Sequence, residues 1–128
     1  MKNVEKFFAK LHPKTPIIIT NHQTAEMIKY ANNSFLATKI SFINQVSNIC
    51  QKIPGANIDD IAKTIGLDPR IGKLFLNAGP GYGGSCLPKD MKALIKFAKI
   101  TGVKPTLLNA VEDVNAKQLE DCLLYTSP

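Results

Sequence analysis

Residues 24–52 read TAEMIKYANNSFLATKISFINQVSNICQK, a long run that contains neither glycine nor proline. Its apolar residues recur at helical spacing, which predicts one continuous helix and an all-α domain built on it. At 1.5 Å per residue the helix is about 40 Å long, more than a small domain needs, so we expect part of it to pack on another subunit. The apolar side consists of Ile28, Ala31, Phe35, Phe42, Val46 and Ile49, with Ile40 and Ile43 widening its second half.

The segment before this helix predicts two short elements. Met1 to Leu11 has the apolar spacing of an amphipathic helix, which Pro13 and Pro16 then end. The three β-branched residues Ile17–Ile19 are typical of a buried strand.

Three shorter helices are predicted after the long one, each from a start or stop signal. Their expected spans are Ile58 to Ile65 between a capping Asn57 and Gly66, Pro88 to about Thr101 followed by Gly102, and a last helix from Pro105.

Composition limits the classes of protein. The 128 residues are 45% hydrophobic, enough for one domain with its own core. No apolar run approaches the roughly 18 residues of a membrane span and no signal peptide opens the chain, so we expect a cytoplasmic protein without membrane contact. No metal site is expected, because the sulfur and imidazole side chains lack metal-ligand spacing: Cys50, Cys86, Cys122, His12 and His22.

The net charge of +6 comes from fifteen lysines and a single arginine, Arg70. A basic chain favours anionic partners, and a helix-turn-helix protein that binds nucleic acid is one interpretation. Recognition of bases and phosphates uses arginine more often than lysine, so we expect no nucleic-acid partner. Four lysines at helical spacing are better explained as a solvated face: Lys89, Lys92, Lys96 and Lys99.

The run GPGYGGSCLPKD at residues 79–90 presents Cys86 at the end of a glycine loop and the start of a helix. Glycine permits positive φ and close approach of a ligand to the main chain, and a helix N-terminus favours the thiolate. The negative charge of Asp90 opposes that preference. The alternative is a tight turn over a small, buried and inert cysteine.

The same run matches G-x-G-x-x-G at Gly79, Gly81 and Gly84, the pattern of a dinucleotide site. Such a site needs a strand directly before the glycines, a helix directly after them and an acidic residue about 20 positions on. Those surroundings are missing here, so we predict that the pattern does not bind a dinucleotide.

Lys29 and Asn33 lie one helical turn apart on the long helix. An ammonium and a carboxamide together can hydrogen-bond an oxygen that develops negative charge, which would make an oxyanion site. The alternative is a solvated face.

Three separated motifs resemble the central region of the nucleotide-sugar dehydrogenases, most of all those that act on UDP-glucose. The motifs are TAEMIKYANNSFLATKISFINQVSNIC, IGLDPRIGKLFLNAGPG and GYGGSCLPKDMKAL. The resemblance implies a remnant of an N-terminal Rossmann domain at 1–20, a central helical catalytic and dimerisation domain at 21–118, and an unrelated tail at 119–128. It also implies a homodimer formed through the long helix, and that this chain alone is inactive.

The resemblance implies oxidation of UDP-glucose to UDP-glucuronate with two NAD, through a thiohemiacetal and a thioester on Cys86. Lys29 and Asn33 would hold the oxyanion, Asp90 would assist proton transfer, and Lys89 would lie near the cofactor. The implied substrate-binding residues are Arg70, Phe75, Leu76, Asn77, Gly81, Tyr82 and Gly83. The alternatives are a dehydrogenase of GDP-mannose or UDP-N-acetylmannosamine, and a non-catalytic dimerisation module in which Cys86 is buried.

Overall fold

A computed structural model describes residues 2–126, which form helices and no strand. The prediction of an all-α fold is therefore confirmed. No helix within this range is long and apolar enough to cross a membrane. The helices are α1 (Lys2–Leu11), α2 (His22–Cys50), α3 (Ile58–Ile65), α4 (Leu87–Ile100) and α5 (Thr106–Thr126).

Helix α2 is the long helix that the sequence predicts, shifted by two residues at each end. It begins at His22 because the Asn21 side chain accepts a hydrogen bond of 2.8 Å from the Thr24 N–H, which satisfies a backbone donor of the first turn. It ends at Cys50, ahead of the turn that contains Pro54.

The buried face of α2 is narrow, and apart from Ile43 its residues are small or polar. Ser34, Ala37, Ser41 and Asn44 lie three or four positions apart and are all buried. Helices α4 and α5 pack against α2, and α5 approaches so closely that the Ser41 hydroxyl donates to the Val111 carbonyl at 3.0 Å. The core that forms here contains Ala37, Tyr82, Met91 and Val111, with Ile40, Leu87, Ile95 and Leu108 packed around it.

A second face of α2 is apolar and exposed. Ile28, Phe35, Phe42 and Ile49 recur every seven residues and expose between 52% and 65% of their surface. These residues belong to the predicted apolar side, whereas Ile43 of the same prediction is fully buried. We call the four exposed residues the α2 seam.

The N-terminal prediction is half correct. Helix α1 forms as expected, although Met1 itself lies outside the described residues. The predicted strand at Ile17–Ile19 is wrong, because the segment has no regular structure and its side chains are exposed. A strand must pair its N–H and C=O groups with a neighbour, and residues 2–126 contain no second strand to provide them.

The shorter helices begin and end close to their predicted positions. Asn57 caps α3 by accepting hydrogen bonds from the Asp59 and Asp60 N–H groups at 2.8 and 3.2 Å. After α4, Gly102 adopts a φ of 79° and the Val103 N–H donates to the Ala98 carbonyl at 2.9 Å, a Schellman ending.

Helix α5 begins one residue after the predicted Pro105 and runs through 119–126 of the predicted tail. Residues 127–128 of that tail lie outside the described part of the chain.

Candidate active site

The Asp90 carboxylate, only 1% exposed, joins α4 to α2. The Asn33 carboxamide donates to its Oδ2 at 2.7 Å. The Lys29 ammonium lies 3.1 Å from Oδ2 and 3.3 Å from Oδ1, and Lys89 lies 3.3 Å from Oδ1. Lys29 and Asn33 thus point the same way, as their spacing predicts, and the group they meet is Asp90.

This geometry keeps Asp90 and Lys29 charged at neutral pH. The hydrogen bond from Asn33 lowers the pKa of Asp90, with Lys29 and Lys89 adding to the effect and burial opposing it. The hydrogen bond to Asp90 raises the pKa of Lys29, against an opposing effect of burial.

Cys86 occupies the N-cap position of α4 and its side chain is exposed. Its carbonyl accepts the Asp90 N–H at 2.9 Å, so the first turn of α4 holds Cys86 and Asp90 together. The Ser85 hydroxyl lies 3.6 Å from the Cys86 sulfur. An exposed thiol contradicts the interpretation of this run as a turn over a buried cysteine, whereas Cys50 is buried.

The glycine loop before Cys86 bends as expected at two positions. Gly81 and Gly84 adopt φ values of 106° and 78°. The ring of Tyr82 points inward, into the core, and its hydroxyl donates to Glu112 at 3.4 Å. Burial, and then the Glu112 carboxylate, raise the pKa of Tyr82, so the phenol stays neutral.

Three carboxamides that sequence reasoning missed hold this loop. Asn44 accepts the Gly79 N–H at 2.8 Å, Gln118 donates to the Gly79 carbonyl at 3.0 Å, and Asn115 binds the main chain of Tyr82. Asn44 lies at helical spacing from Ala37 and Ser41, which could have placed it on the same face of α2. Its polar side chain, however, is not one that sequence reasoning expects to be buried. No sequence pattern identifies the two carboxamides of α5, Asn115 and Gln118, as residues that contact this loop.

The other predicted substrate residues are spread along residues 70–83. Phe75, Asn77 and Gly83 are exposed, whereas Leu76 is buried. Phe75 has a φ of 63°, an uncommon conformation for a bulky residue.

Arg70 is exposed at a turn and its guanidinium forms a bidentate pair with Asp68, the shortest contact being 2.6 Å. This pair lowers the pKa of Asp68 and raises the pKa of Arg70. The structure does not bring Arg70 to Asp90. The turn that carries Arg70 is held to α2, since the Lys39 ammonium donates to the Ile71 and Gly72 carbonyls at 3.0 and 3.2 Å.

The glycine run does not fit a dinucleotide. No strand precedes Gly79 in the described chain, and Ser85 and Cys86 separate Gly84 from α4. Within residues 2–126 of the structure, no group of three or more His, Cys, Asp or Glu side chains could hold a metal ion. Lys89, predicted to lie near the cofactor, contacts Asp90 and its side chain is 66% exposed.

Comparison with known proteins gives a consistent result. The central-domain model of the UDP-glucose/GDP-mannose dehydrogenase family matches residues 23–117. The UDP-glucose 6-dehydrogenase TuaD of Bacillus subtilis is 51% identical over 115 residues, which are 90% of this chain and 24% of the relative. The UDP-glucose 6-dehydrogenase of Rickettsia typhi is 64% identical over 94 residues, 73% of this chain and 21% of the relative.

A solved UDP-glucose dehydrogenase from the hyperthermophilic archaeon Pyrobaculum islandicum matches with a TM-score of 0.81 and 36% identity, over 91% of this chain and 27% of that one. The chain thus spans about a quarter of the length of these relatives.

The loop geometry predicts that Gly81→Ala destabilises the chain. The φ of 106° disfavours any Cβ, and a Cβ at Gly81 would lie 2.6 Å from the Asn115 Oδ1. We expect the free energy of unfolding to fall by about 1–3 kcal/mol in denaturant titrations. Gly83→Ala is the control, because a Cβ there meets no described atom within 4 Å. Equal effects of the two substitutions would contradict this account of the loop.

The Asp90 contacts predict a pH dependence of stability. Because the folded pKa of Asp90 is lowered, its stabilising contribution is present above the unfolded pKa of about 3.9 and is lost as pH falls through the folded value. The free energy of unfolding should therefore decrease more steeply toward about pH 2 in the unaltered chain than in Asp90→Asn. Denaturant titrations at a series of pH values test this, and parallel curves would overturn it.

Proposed function

Because the chain belongs to the UDP-glucose/GDP-mannose dehydrogenase family, of which it contains the central domain, we propose that it serves the oxidation of UDP-glucose to UDP-glucuronate through Cys86. The observation that carries the proposal is the exposed Cys86 thiol at the start of α4, one helical turn before the Asp90 carboxylate that binds Lys29 and Asn33. NAD, when bound, supplies the acceptor for the hydrides of both oxidations.

Cys86 acts in this proposal as the acyl carrier. Loss of a hydride from C6 of UDP-glucose and of its hydroxyl proton first gives an aldehyde. The thiolate then adds to the aldehyde carbon, forming an S–C bond while the carbonyl oxygen takes a proton, which gives a thiohemiacetal. Loss of a hydride from C6 and of the hydroxyl proton leaves a thioester. Water then attacks the thioester carbonyl, and the thiolate leaves as the carboxylate forms. Covalent capture keeps the aldehyde from escaping between the oxidations.

Lys29 and Asn33 have the donors that this chemistry needs. An ammonium carries three N–H groups and a carboxamide two, so each can contact Asp90 and still donate to a substrate oxygen. A raised pKa keeps Lys29 cationic, which stabilises negative charge on that oxygen. Asp90 assists by orienting these two donors, since the lowered pKa that keeps it ionised makes it a weak base.

We also propose that residues 75–83 contact the sugar and the uridine diphosphate. Phe75, Asn77 and Gly83 are exposed and can face a ligand. Leu76 and the Tyr82 ring are buried, so at these positions the contact would come from the main chain. Gly81 contributes a half-buried main chain, and Arg70 an exposed guanidinium for an anionic substrate group, in the same or a neighbouring subunit.

The α2 seam supports a homodimer. Four large apolar side chains along one helix, each more than half exposed, are costly in water and suit packing against a second copy. A non-catalytic dimerisation module would use the same seam, but that alternative predicts a buried Cys86, and the thiol is exposed. Oxidation of another nucleotide sugar, GDP-mannose or UDP-N-acetylmannosamine, is the alternative within the family.

The function is tested in a chimera in which residues 23–117 replace the equivalent segment of Bacillus subtilis TuaD. We expect UDP-glucuronate and two NADH per UDP-glucose from the chimera, and no NADH from the chain by itself. Cys86→Ser should abolish the acid because an alkoxide is a poor acyl carrier at neutral pH, while Cys50→Ala, which removes a buried thiol, should preserve most activity. Lys29→Ala should slow turnover by about a hundredfold or more.

Undiminished acid formation by the Cys86→Ser chimera would refute the covalent mechanism. A chimera that folds but oxidises GDP-mannose or UDP-N-acetylmannosamine in preference to UDP-glucose would replace the proposed substrate.

The dimer is tested with the chain itself by analytical ultracentrifugation. We expect a dimer that Phe42→Glu converts to a monomer, since the substitution places a charge in the middle of the α2 seam. Leu67→Glu is the control, because Leu67 is exposed but follows α3 and is not part of the seam. A monomeric unaltered chain at about 100 μM, or an unaffected Phe42→Glu dimer, would exclude this interface.

A further inference from the structure

One face of α5 carries three polar side chains that all reach the glycine loop. Glu112, Asn115 and Gln118 recur every three residues and contact residues 79–82. We propose that Asn115 is a positioning residue, which sets the conformation of the loop segment that binds substrate. The proposal rests on the proposed function and extends it to a residue outside the reacting groups.

The Asn115 side chain hydrogen-bonds both main-chain groups of Tyr82. Its Oδ1 accepts the Tyr82 N–H at 2.7 Å and its Nδ2 donates to the Tyr82 carbonyl at 3.1 Å. The carboxamide therefore pairs with Tyr82 as a neighbouring strand would, which fixes the peptide planes on both sides of that residue. This close approach requires glycine at position 81, where a Cβ would collide with the Asn115 oxygen.

The other end of the segment is held in the same manner. The Gly79 N–H and carbonyl are bound by Asn44 and Gln118 at 2.8 and 3.0 Å. The polar main-chain groups of Gly79 and Tyr82 are thus already paired with side chains. These contacts fix Gly79 and Tyr82, and the residues that follow Tyr82 lie at the surface. The exposed main chain of Gly83 and Gly84 can therefore contact a ligand.

Cys86 is positioned independently of Asn115. The thiol is carried by the first turn of α4, where the Cys86 carbonyl accepts the Asp90 N–H at 2.9 Å and Asp90 is bound to α2. Loss of Asn115 should therefore loosen the substrate segment and leave the reacting groups in place. This separation predicts a change in KM rather than in kcat.

The first experiment is hydrogen exchange on the 128-residue chain. Asn115→Ala should speed exchange of the Tyr82 amide by about tenfold or more, as expected for one lost hydrogen bond. The matched control is Asn109→Ala, which removes a carboxamide of α5 that lines the groove between α4 and α5. Unchanged exchange at Tyr82, or an equal increase in the control, would overturn the proposal.

The second experiment measures kinetics in the TuaD chimera. We expect Asn115→Ala to raise KM for UDP-glucose about tenfold with kcat within about threefold, and Asn109→Ala to change neither. An active chimera in which Asn115→Ala lowers kcat at constant KM, or leaves both unchanged, would refute the positioning role while the proposed function stands. A folded chimera without UDP-glucose oxidation would refute the proposed function, and with it the role of Asn115.

Discussion

The narrow buried face of α2 is the constraint on which the rest of the fold depends. Ala37 and Ser41 are small enough for α5 to approach until a serine hydroxyl reaches a helix carbonyl, the Ser41 to Val111 contact. A larger side chain at either position would push the helices apart, since protein interiors have no spare volume. Close packing here aligns α4 with the N-terminal half of α2 and so brings Asp90 to Asn33 and Lys29.

The buried Asp90 carboxylate determines where the charged and polar side chains of the site lie. A carboxylate with almost no exposed surface is unfavourable unless its oxygens are hydrogen-bonded, and three side chains satisfy that need. Two of the three, Lys29 and Asn33, belong to a single helical turn of α2. The geometry around Cys86 is therefore fixed by the regular structure of two helices, which is more rigid than a loop could provide.

The helices of this fold could be predicted from sequence because their signals are local. Asn57 and Gly102 act within one turn of the helix ends that they define, and both predictions are confirmed. The strand at Ile17–Ile19 failed because β-branched composition does not provide a partner strand. The length of α2 predicted packing on another subunit, but the apolar pattern alone does not say which of its residues this chain leaves exposed.

The site was predictable where spacing alone decides orientation. Lys29 and Asn33 share a face in any helix, so their common direction followed from sequence. The resemblance implies that Asp90 belongs to the same site, but spacing along the sequence does not show that Asp90 binds both side chains, since that depends on how α4 packs on α2. The carboxamides Asn115 and Gln118 were missed for the same reason: they contact a loop more than 30 residues away in sequence.

The pair between Arg70 and Asp68 has a consequence for anion recognition at that turn. The guanidinium already has a bidentate carboxylate partner, so an incoming anion gains only the difference between two ion pairs. A monodentate anion such as chloride would not displace the Asp68 carboxylate from Arg70, whereas a group with two suitably spaced oxygens could replace its two hydrogen bonds. If Arg70 binds an anionic substrate group as we propose, Asp68 competes with that group for the guanidinium and favours ligands whose two oxygens match the carboxylate.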